Sequence, residues 1–172
     1  VTAIDLLVLG AAEVATPRGV AARLGSDLGD VQVTEHGAVA IDGGRVVEVG
    51  PQSELERRFT PRATLDAAGG TVLPGFVDAH THPVFAGTRE REFELRMAGA
   101  SYVEIAAAGG GIASSLAGVR GADRATLTAL LLARADRFLA AGTTTLEAKT
   151  GYGLTLEDEL RGLEAIAAAD EA

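Results

Sequence analysis

Over residues 1–72, short apolar runs alternate with polar, glycine-punctuated segments. Ile4 to Leu9 is an apolar run of strand length. Ala38 to Ile41 and Arg45 to Val49 are two more, joined by Asp42-Gly43-Gly44. A glycine-containing connection between β-prone runs predicts a hairpin. Thr16 to Gly37 is polar and broken by glycines, and reads mostly as loop. Pro51 to Phe59, with Pro51 near its start and Ser53-Glu54-Leu55-Glu56 following, has the pattern of one short helix. Thr64 to Ala67 and Thr71 to Leu73 are further strand candidates. Together these elements predict a small all-β unit over residues 1–72.

The pattern changes at residues 73–172. Phe76 to His82 is strand-like and ends at Pro83. Glu90 to Met97 and Ser101 to Ala108 read as helices, and Gly109-Gly110-Gly111 breaks the chain after them. Asp123 to Ala141 is the clearest helix, with Leu127, Leu130, Leu131, Ala135 and Phe138 at helical spacing. Asp123 suits its N-cap and Gly142 its C-terminal turn. Thr143 to Ala148 is β-branched and strand-like. Gly151-Tyr152-Gly153 is a loop, and Thr155 to Glu171 is a last helix, with Thr155 as cap and Asp158 at the capping-box position. This βαβα order predicts a parallel sheet with helical crossovers. About two such units fit here, whereas a closed (β/α)₈ barrel needs roughly 250 residues. With Val1 in place of an initiating methionine, the sequence reads as an N-terminal piece of a larger protein.

Composition narrows the function classes. Hydrophobic residues make up 47%, enough for a folded core. No apolar run reaches the ~18 residues of a membrane span, and the first residues lack the basic stretch of a signal peptide. A cytoplasmic protein without a membrane partner is expected. The absence of cysteine excludes disulfides, thiolate metal sites and cysteine nucleophiles. A net charge of −9 with no basic run argues against nucleic acid as a partner.

The sharpest chemical signal is Asp78-Ala79-His80-Thr81-His82. Alternation along a strand puts His80 and His82 on one face, about 6.5–7 Å apart. Two imidazoles so placed can converge on a metal ion of the zinc or iron type. A bare pair at this spacing also arises by chance on exposed strand ends. Here it ends a hydrophobic strand, follows Pro74-Gly75, and holds two of the three histidines. The third, His36, lies in the polar segment and is expected to be exposed.

Leu73-Pro74-Gly75-Phe76-Val77-Asp78-Ala79-His80-Thr81-His82 resembles the first barrel strand of the amidohydrolase superfamily. Further segments narrow the resemblance to the imidazolonepropionase family. These are Val84 to Phe93 with Arg89 in it, Gly99 to Ile105, Gly109-Gly110-Gly111-Ile112, and Thr143 to Leu154. The resemblance implies an α/β fold, the N-terminal part of a (β/α)₈ amidohydrolase barrel preceded by a small β-sandwich domain. It implies hydrolytic ring opening of 4-imidazolone-5-propanoate to N-formimidoyl-L-glutamate, in histidine degradation, by a metal-activated water.

By the same resemblance, His80 and His82 are the first ligands of one metal ion, Zn or Fe. The family's other ligands and its acid/base residue come from later strands, so no catalytic group is assigned here and these 172 residues alone are expected to be inactive. Arg89, seven residues beyond His82, is the family's contact to the propanoate carboxylate. On composition alone it reads as a solvated loop arginine. Tyr152 matches a substrate-binding position. Tyr102 either lines the same pocket or belongs to the core. Glu147 and Lys149 share a strand face and read as an ion pair, and Asp78 as support for the histidines. The triple glycine reads as a flexible active-site loop. A small-molecule substrate and a homodimer are the partners implied. The competing readings are another deaminase or cyclic amidase of the superfamily, or a truncated, catalytically dead chain.

Overall fold

The structure is a computed structural model that describes residues 1–19 and 21–172. The chain divides into two compact units, Val1–Pro74 and Gly75–Ala172.

In the first unit, β1 (Thr2–Leu9) pairs antiparallel with β4 (Gly37–Asp42) and parallel with β6 (Phe59–Asp66). With β5 (Arg45–Pro51) these make a four-stranded sheet in the order β5-β4-β1-β6. Both sides of β1 are packed. Leu7 and Leu9 join Ile4, Ala38, Ala40 and Leu55, the last from helix α1 (Gln52–Arg58). Leu6 and Val8 join Val14 and Val39. A strand stretch covered on both faces has no polar side, which is why Leu6 to Leu9 is continuously apolar, while Asp5 before it stays half-exposed and pairs with Arg62. The β4–β5 hairpin turns through Gly43 and Gly44 at φ 56° and 72°. Two consecutive positive φ values give the turn whose twist matches the flanking strands.

Thr16 to Gly37, expected mostly as loop, is more ordered than that. β2 (Glu13–Pro17) runs into it, a short 3₁₀ turn covers Gly25–Gly29, and β3 (Val31–Glu35) pairs antiparallel with β2. With β7 (Thr71–Val72) they form a second sheet, β3-β2-β7. Val31 and Val33 remain 46% and 51% exposed. The strand is therefore held by its backbone ladder to β2 and carries no local signature of burial. β6 also starts earlier than the expected Thr64, because β1 pairs with it from Phe59 onward. His36 is exposed at the β3–β4 corner, with φ 48°.

In the second unit, β8 (Phe76–Thr81) and β9 (Thr143–Ala148) form a parallel pair. Between them the chain passes through α2 (Glu90–Met97), α3 (Tyr102–Ala107), α4 (Ile112–Gly121) and α5 (Arg124–Ala140), and α6 (Leu156–Asp170) follows β9. Leu127 and Leu131 of α5 pack with Ala165 of α6 and Val84 in a buried cluster. Asp123 caps α5 by accepting from the Thr126 N–H, and Thr155 caps α6 by accepting from the Asp158 N–H. The Thr155 hydroxyl donates to the Asp158 carboxylate at 2.6 Å, so the box closes between side chains.

Helix α4 is not legible in the sequence, since Gly118 and Gly121 each weaken a helix by about 1 kcal/mol relative to alanine. Gly118 is present for close approach: a Cβ there would overlap the backbone carbonyl of Ala86. Tyr102–Gly121 includes an 18-residue window of mean hydropathy 1.2, apolar enough for a membrane span. Gly109 and Gly111, at φ 84° and 72°, divide it into helices of six and ten residues. Each is too short to cross a ~30 Å hydrocarbon layer.

Candidate metal and substrate site

The site begins where β8 ends. The pairing of β8 with β9 is regular at Asp78↔Leu146, then shifts before Thr81↔Ala148, so an extra β8 residue sits in the interval. A bulge of this kind re-aims side chains at a strand end. Asp78 supports it from the backbone side, its carboxylate accepting from the His80 N–H at 3.3 Å. The ends of the two strands are tied together by the Thr81 hydroxyl donating to the Glu147 carbonyl at 2.7 Å and the Lys149 N–H donating to the Thr81 carbonyl at 3.0 Å. The rings of His80 and His82 lie 5.4 Å apart, edge to face at 75°.

The two imidazoles differ at Nδ1: His82 is hydrogen-bonded there, and His80 has only a more distant carboxylate. His82 Nδ1 is 2.7 Å from the Thr150 carbonyl. A carbonyl only accepts, so Nδ1 carries the proton and Nε2 is left as a lone-pair donor. His80 Nδ1 is 3.7 Å from Glu147 Oε2, and Lys149 Nζ is 3.7 Å from the same oxygen. The expected Glu147–Lys149 pair is therefore present, about half exposed, and shared with His80. Among the described residues, no group of three or more His, Asp or Glu side chains is placed to hold an ion together.

A cavity of about 530 Å³ opens beside His82, within the range usual for small-molecule sites. His82, Arg89 and Tyr152 all line it, with Phe85, Phe93 and Ser114 among the other walls. The rings of His82 and Tyr152 are 5.6 Å apart, and those of Tyr152 and Phe85 are 6.5 Å apart. The edge-on series thus runs from His80 to Phe85. Arg134 of α5 stacks its guanidinium 3.5 Å over the Phe85 ring and donates to the Pro83 carbonyl at 2.9 Å. This pins the segment after β8 from the opposite side. Burial pushes the Arg134 pKa below that of an ordinary arginine.

The structure does not bring Tyr102 into that cavity. It is 63% exposed and lines a smaller neighbouring recess, which Arg89 also lines. Arg89 stands at the N-cap position of α2. Its pKa is raised, first by its hydrogen bond to Glu92 and further by the nearby Tyr102 and Tyr152.

The Tyr152 loop is set by the first turn of α6. The Glu159 carboxylate accepts from the Gly153 N–H at 2.9 Å and the Leu154 N–H at 2.8 Å. This stabilises Leu154 at φ 55°, a conformation costly for a branched residue. Burial pushes the Glu159 carboxyl up, but hydrogen bonds from Thr150 and the loop amides outweigh it and hold it below the ordinary value. Arg120 of α4 donates to the Gly153 carbonyl at 2.8 Å and lies 3.6 Å from Asp158, which pairs with Arg161 at 2.9 Å.

Sequence reasoning assigned no role to Phe85, Phe93, Glu92, Ser114, Arg134 or Glu159. For Glu92 a signal existed: an arginine and a glutamate three residues apart at a helix start face each other. The serine lies on the unforeseen α4, and Arg134 reaches its partners across the fold, so neither leaves a local trace.

The description "Imidazolonepropionase-like composite domain, bacteria" matches residues 37–60. Along almost its whole length the chain is similar to curated imidazolonepropionases. It is 48% identical over 168 residues to that of Symbiobacterium thermophilum, covering 96% of this chain and 39% of the relative. It is 47% identical over 171 residues to that of Chloroflexus aggregans, covering 98% and 40%. The chain thus spans about two-fifths of the length of these relatives. In fold it is similar to E. coli guanine deaminase, with a TM-score of 0.64 at 18% identity over 96% of this chain and 34% of that one. A variant of atrazine chlorohydrolase from Arthrobacter aurescens TC1, complexed with zinc and atraton, gives 0.53 at 18% identity over 95% and 33%.

Proposed function

We propose that this chain, a homologue of the imidazolonepropionases spanning about two-fifths of their length, carries the first metal ligands and the substrate-carboxylate pocket of a ring-opening hydrolase. The reaction is hydrolysis of 4-imidazolone-5-propanoate to N-formimidoyl-L-glutamate, in the cytoplasm. The observation that carries this reading is the placement of His82, Arg89 and Tyr152 around one cavity at the end of β8. A nitrogen ligand, a cation for a carboxylate and an aromatic for a planar ring are the groups this substrate needs.

The donor set fits a metal. Two imidazoles share the strand end, and the Thr150 carbonyl holds His82 Nδ1, the outer-sphere arrangement that leaves its Nε2 for coordination. Neutral imidazole suits zinc or iron, and the zinc in the atrazine chlorohydrolase complex supports zinc. When bound, such an ion lowers the pKa of a water toward ~7 and polarises a carbonyl. The remaining chemistry belongs to the protein's own groups. Arg89 orients the propanoate tail through charge-assisted hydrogen bonds. Tyr152 and Phe85 provide the apolar wall for the ring, with Tyr102 guarding the outer side of Arg89. We read β8 and β9 as the first two strands of a (β/α)₈ barrel, and Val1–Pro74 as part of a β-sandwich. Parallel pairing through helical crossovers, with the site at a C-terminal strand end, supports this.

The test is metal analysis and a ring-opening assay on the full-length protein and its His80→Ala and His82→Ala variants. Loss of bound metal together with turnover is expected. Unchanged metal content in both variants, or preferential turnover of a purine or triazine, would overturn the reading.

A further inference from the structure

We propose that Glu92 is a positioning residue that holds one edge of the Arg89 guanidinium and so aims its other edge at the substrate carboxylate. This rests on the reading of Arg89 as the carboxylate contact. Glu92 Oε2 accepts from Arg89 Nε at 2.9 Å and from Nη2 at 2.5 Å. A guanidinium carries five N–H groups in a fixed plane. Glu92 takes the side-on pair, Nε–H and one Nη2–H. The end-on pair, from Nη1 and Nη2, has no second acceptor among the described residues, and it has the spacing for a second, bidentate carboxylate.

Glu92 is itself fixed from several directions. Its Oε1 accepts from the Gly111 N–H at 2.9 Å, at the cap of α4. Its carboxyl is held below the ordinary glutamate range, first by the hydrogen bond from Arg89 and least by the nearby Ser114 hydroxyl on the cavity wall. Its side chain is 14% exposed against 47% for Arg89. A Cβ on Gly110 would lie 3.2 Å from the Glu92 carboxyl carbon, so the glycine segment closes over it. The triple glycine thus carries a glutamate anchor.

Glu92 could instead be a competing carboxylate that substrate must displace. The geometry disfavours that role: Gly111 holds Glu92 through Oε1, so a substrate that took the Nε edge would leave the largely buried Oε2 without its cation, a cost that engagement of the end-on edge does not incur. The two roles predict opposite signs. A competitor, or a charge that merely weakens the arginine's field, predicts tighter substrate binding when Glu92 is neutralised. An aiming residue predicts weaker binding, because a mobile guanidinium must be ordered on every encounter.

The experiment uses the full-length enzyme with Glu92→Gln, Arg89→Ala and the double variant. KM and kcat are measured for imidazolonepropanoate and for an imidazolone bearing a methyl group in place of the propanoate. Glu92→Gln retains an oxygen for the Gly111 N–H, so the glycine segment keeps its anchor. Its expected effect is a KM for the acid raised roughly 10-fold, with kcat within about twofold and the methyl analogue unaffected. In the Arg89→Ala background the same change should add nothing further, since the two act as one unit. A lowered or unchanged KM, equal losses on both substrates, or full additivity in the double variant would overturn the proposal. Should Arg89→Ala raise KM while Glu92→Gln does not, only the role of Glu92 falls. Should Arg89→Ala leave the acid's KM untouched, the carboxylate reading and this inference fall together.

Discussion

Two glycines on one helix offer a matched test of how the cavity wall is packed. Gly118 and Gly121 both lie in α4. A Cβ on Gly118 would overlap the Ala86 carbonyl oxygen and come within 2.9 Å of its carbon, whereas nothing lies within 4 Å of one on Gly121. Replacing either by alanine removes backbone freedom from the unfolded chain and adds up to about 1 kcal/mol of helix preference. At Gly121 that gain should appear as stabilisation. At Gly118 the contact is backbone, not a flexible side-chain end, so α4 must move away from the segment after β8. Overpacking of this kind costs about 1–3 kcal/mol. Gly118→Ala should therefore be the less stable of the pair by about that amount. For a chain of 150–250 residues this corresponds to a Tm difference of roughly 2–12 °C, at 2–4 °C per kcal/mol. Thermal and urea unfolding of both variants would measure it, with an unchanged urea slope showing that only stability has moved. Because Ala86 and Gly118 also line the cavity, KM of the full-length Gly118→Ala enzyme should rise while Gly121→Ala stays at the parent value. A Gly118→Ala protein as stable as Gly121→Ala would show that the α4–loop contact does not constrain the wall.

Further predictions follow from the site. Arg89→Ala should reduce kcat/KM for the acid substrate by roughly 10- to 30-fold. That is the lower half of the range for a charge-assisted pair, about 1.5–2 kcal/mol, because the side chain is 47% exposed; equal loss on a substrate lacking the carboxylate would count against the role. Residues 1–172 expressed alone should bind zinc weakly by equilibrium dialysis, since catalytic zinc takes about three protein ligands and no such group occurs among the described residues. Acid should unfold the second unit partly through Asp158, whose carboxyl the Thr155 hydroxyl holds below its ordinary value against the effect of burial, helped by Arg161 and Arg120. A lowered folded pKa gives stability that is present above the ordinary carboxylate range and lost as pH falls through the folded value. Asp158→Asn should therefore be less stable than the parent at neutral pH and lose less on acidification, and parallel stability–pH curves would contradict this.

What the sequence determined by itself is local. Helices over Glu90–Met97 and Arg124–Ala140, the Asp123 and Thr155 caps, the Gly43-Gly44 hairpin and the Thr143–Ala148 strand are all legible. Their causes lie within a few residues: a capping oxygen, a glycine at positive φ, an apolar period. The His80–His82 pair was legible as candidate chemistry for the same reason, since its spacing follows directly from one strand, whereas Arg89 was marked only by the family resemblance and otherwise reads as a solvated loop arginine. Tertiary structure decided everything whose partner is distant. Val31–Glu35 is a strand because β2 supplies its hydrogen bonds. α4 survives two glycines because one of them admits the Ala86 carbonyl. Tyr152 reaches the cavity and Tyr102 does not. The tautomer of His82 is set by a carbonyl 68 positions away. Backbone hydrogen bonding and close packing are short-ranged in space and indifferent to separation along the chain, so these outcomes could be read only once the chain had folded.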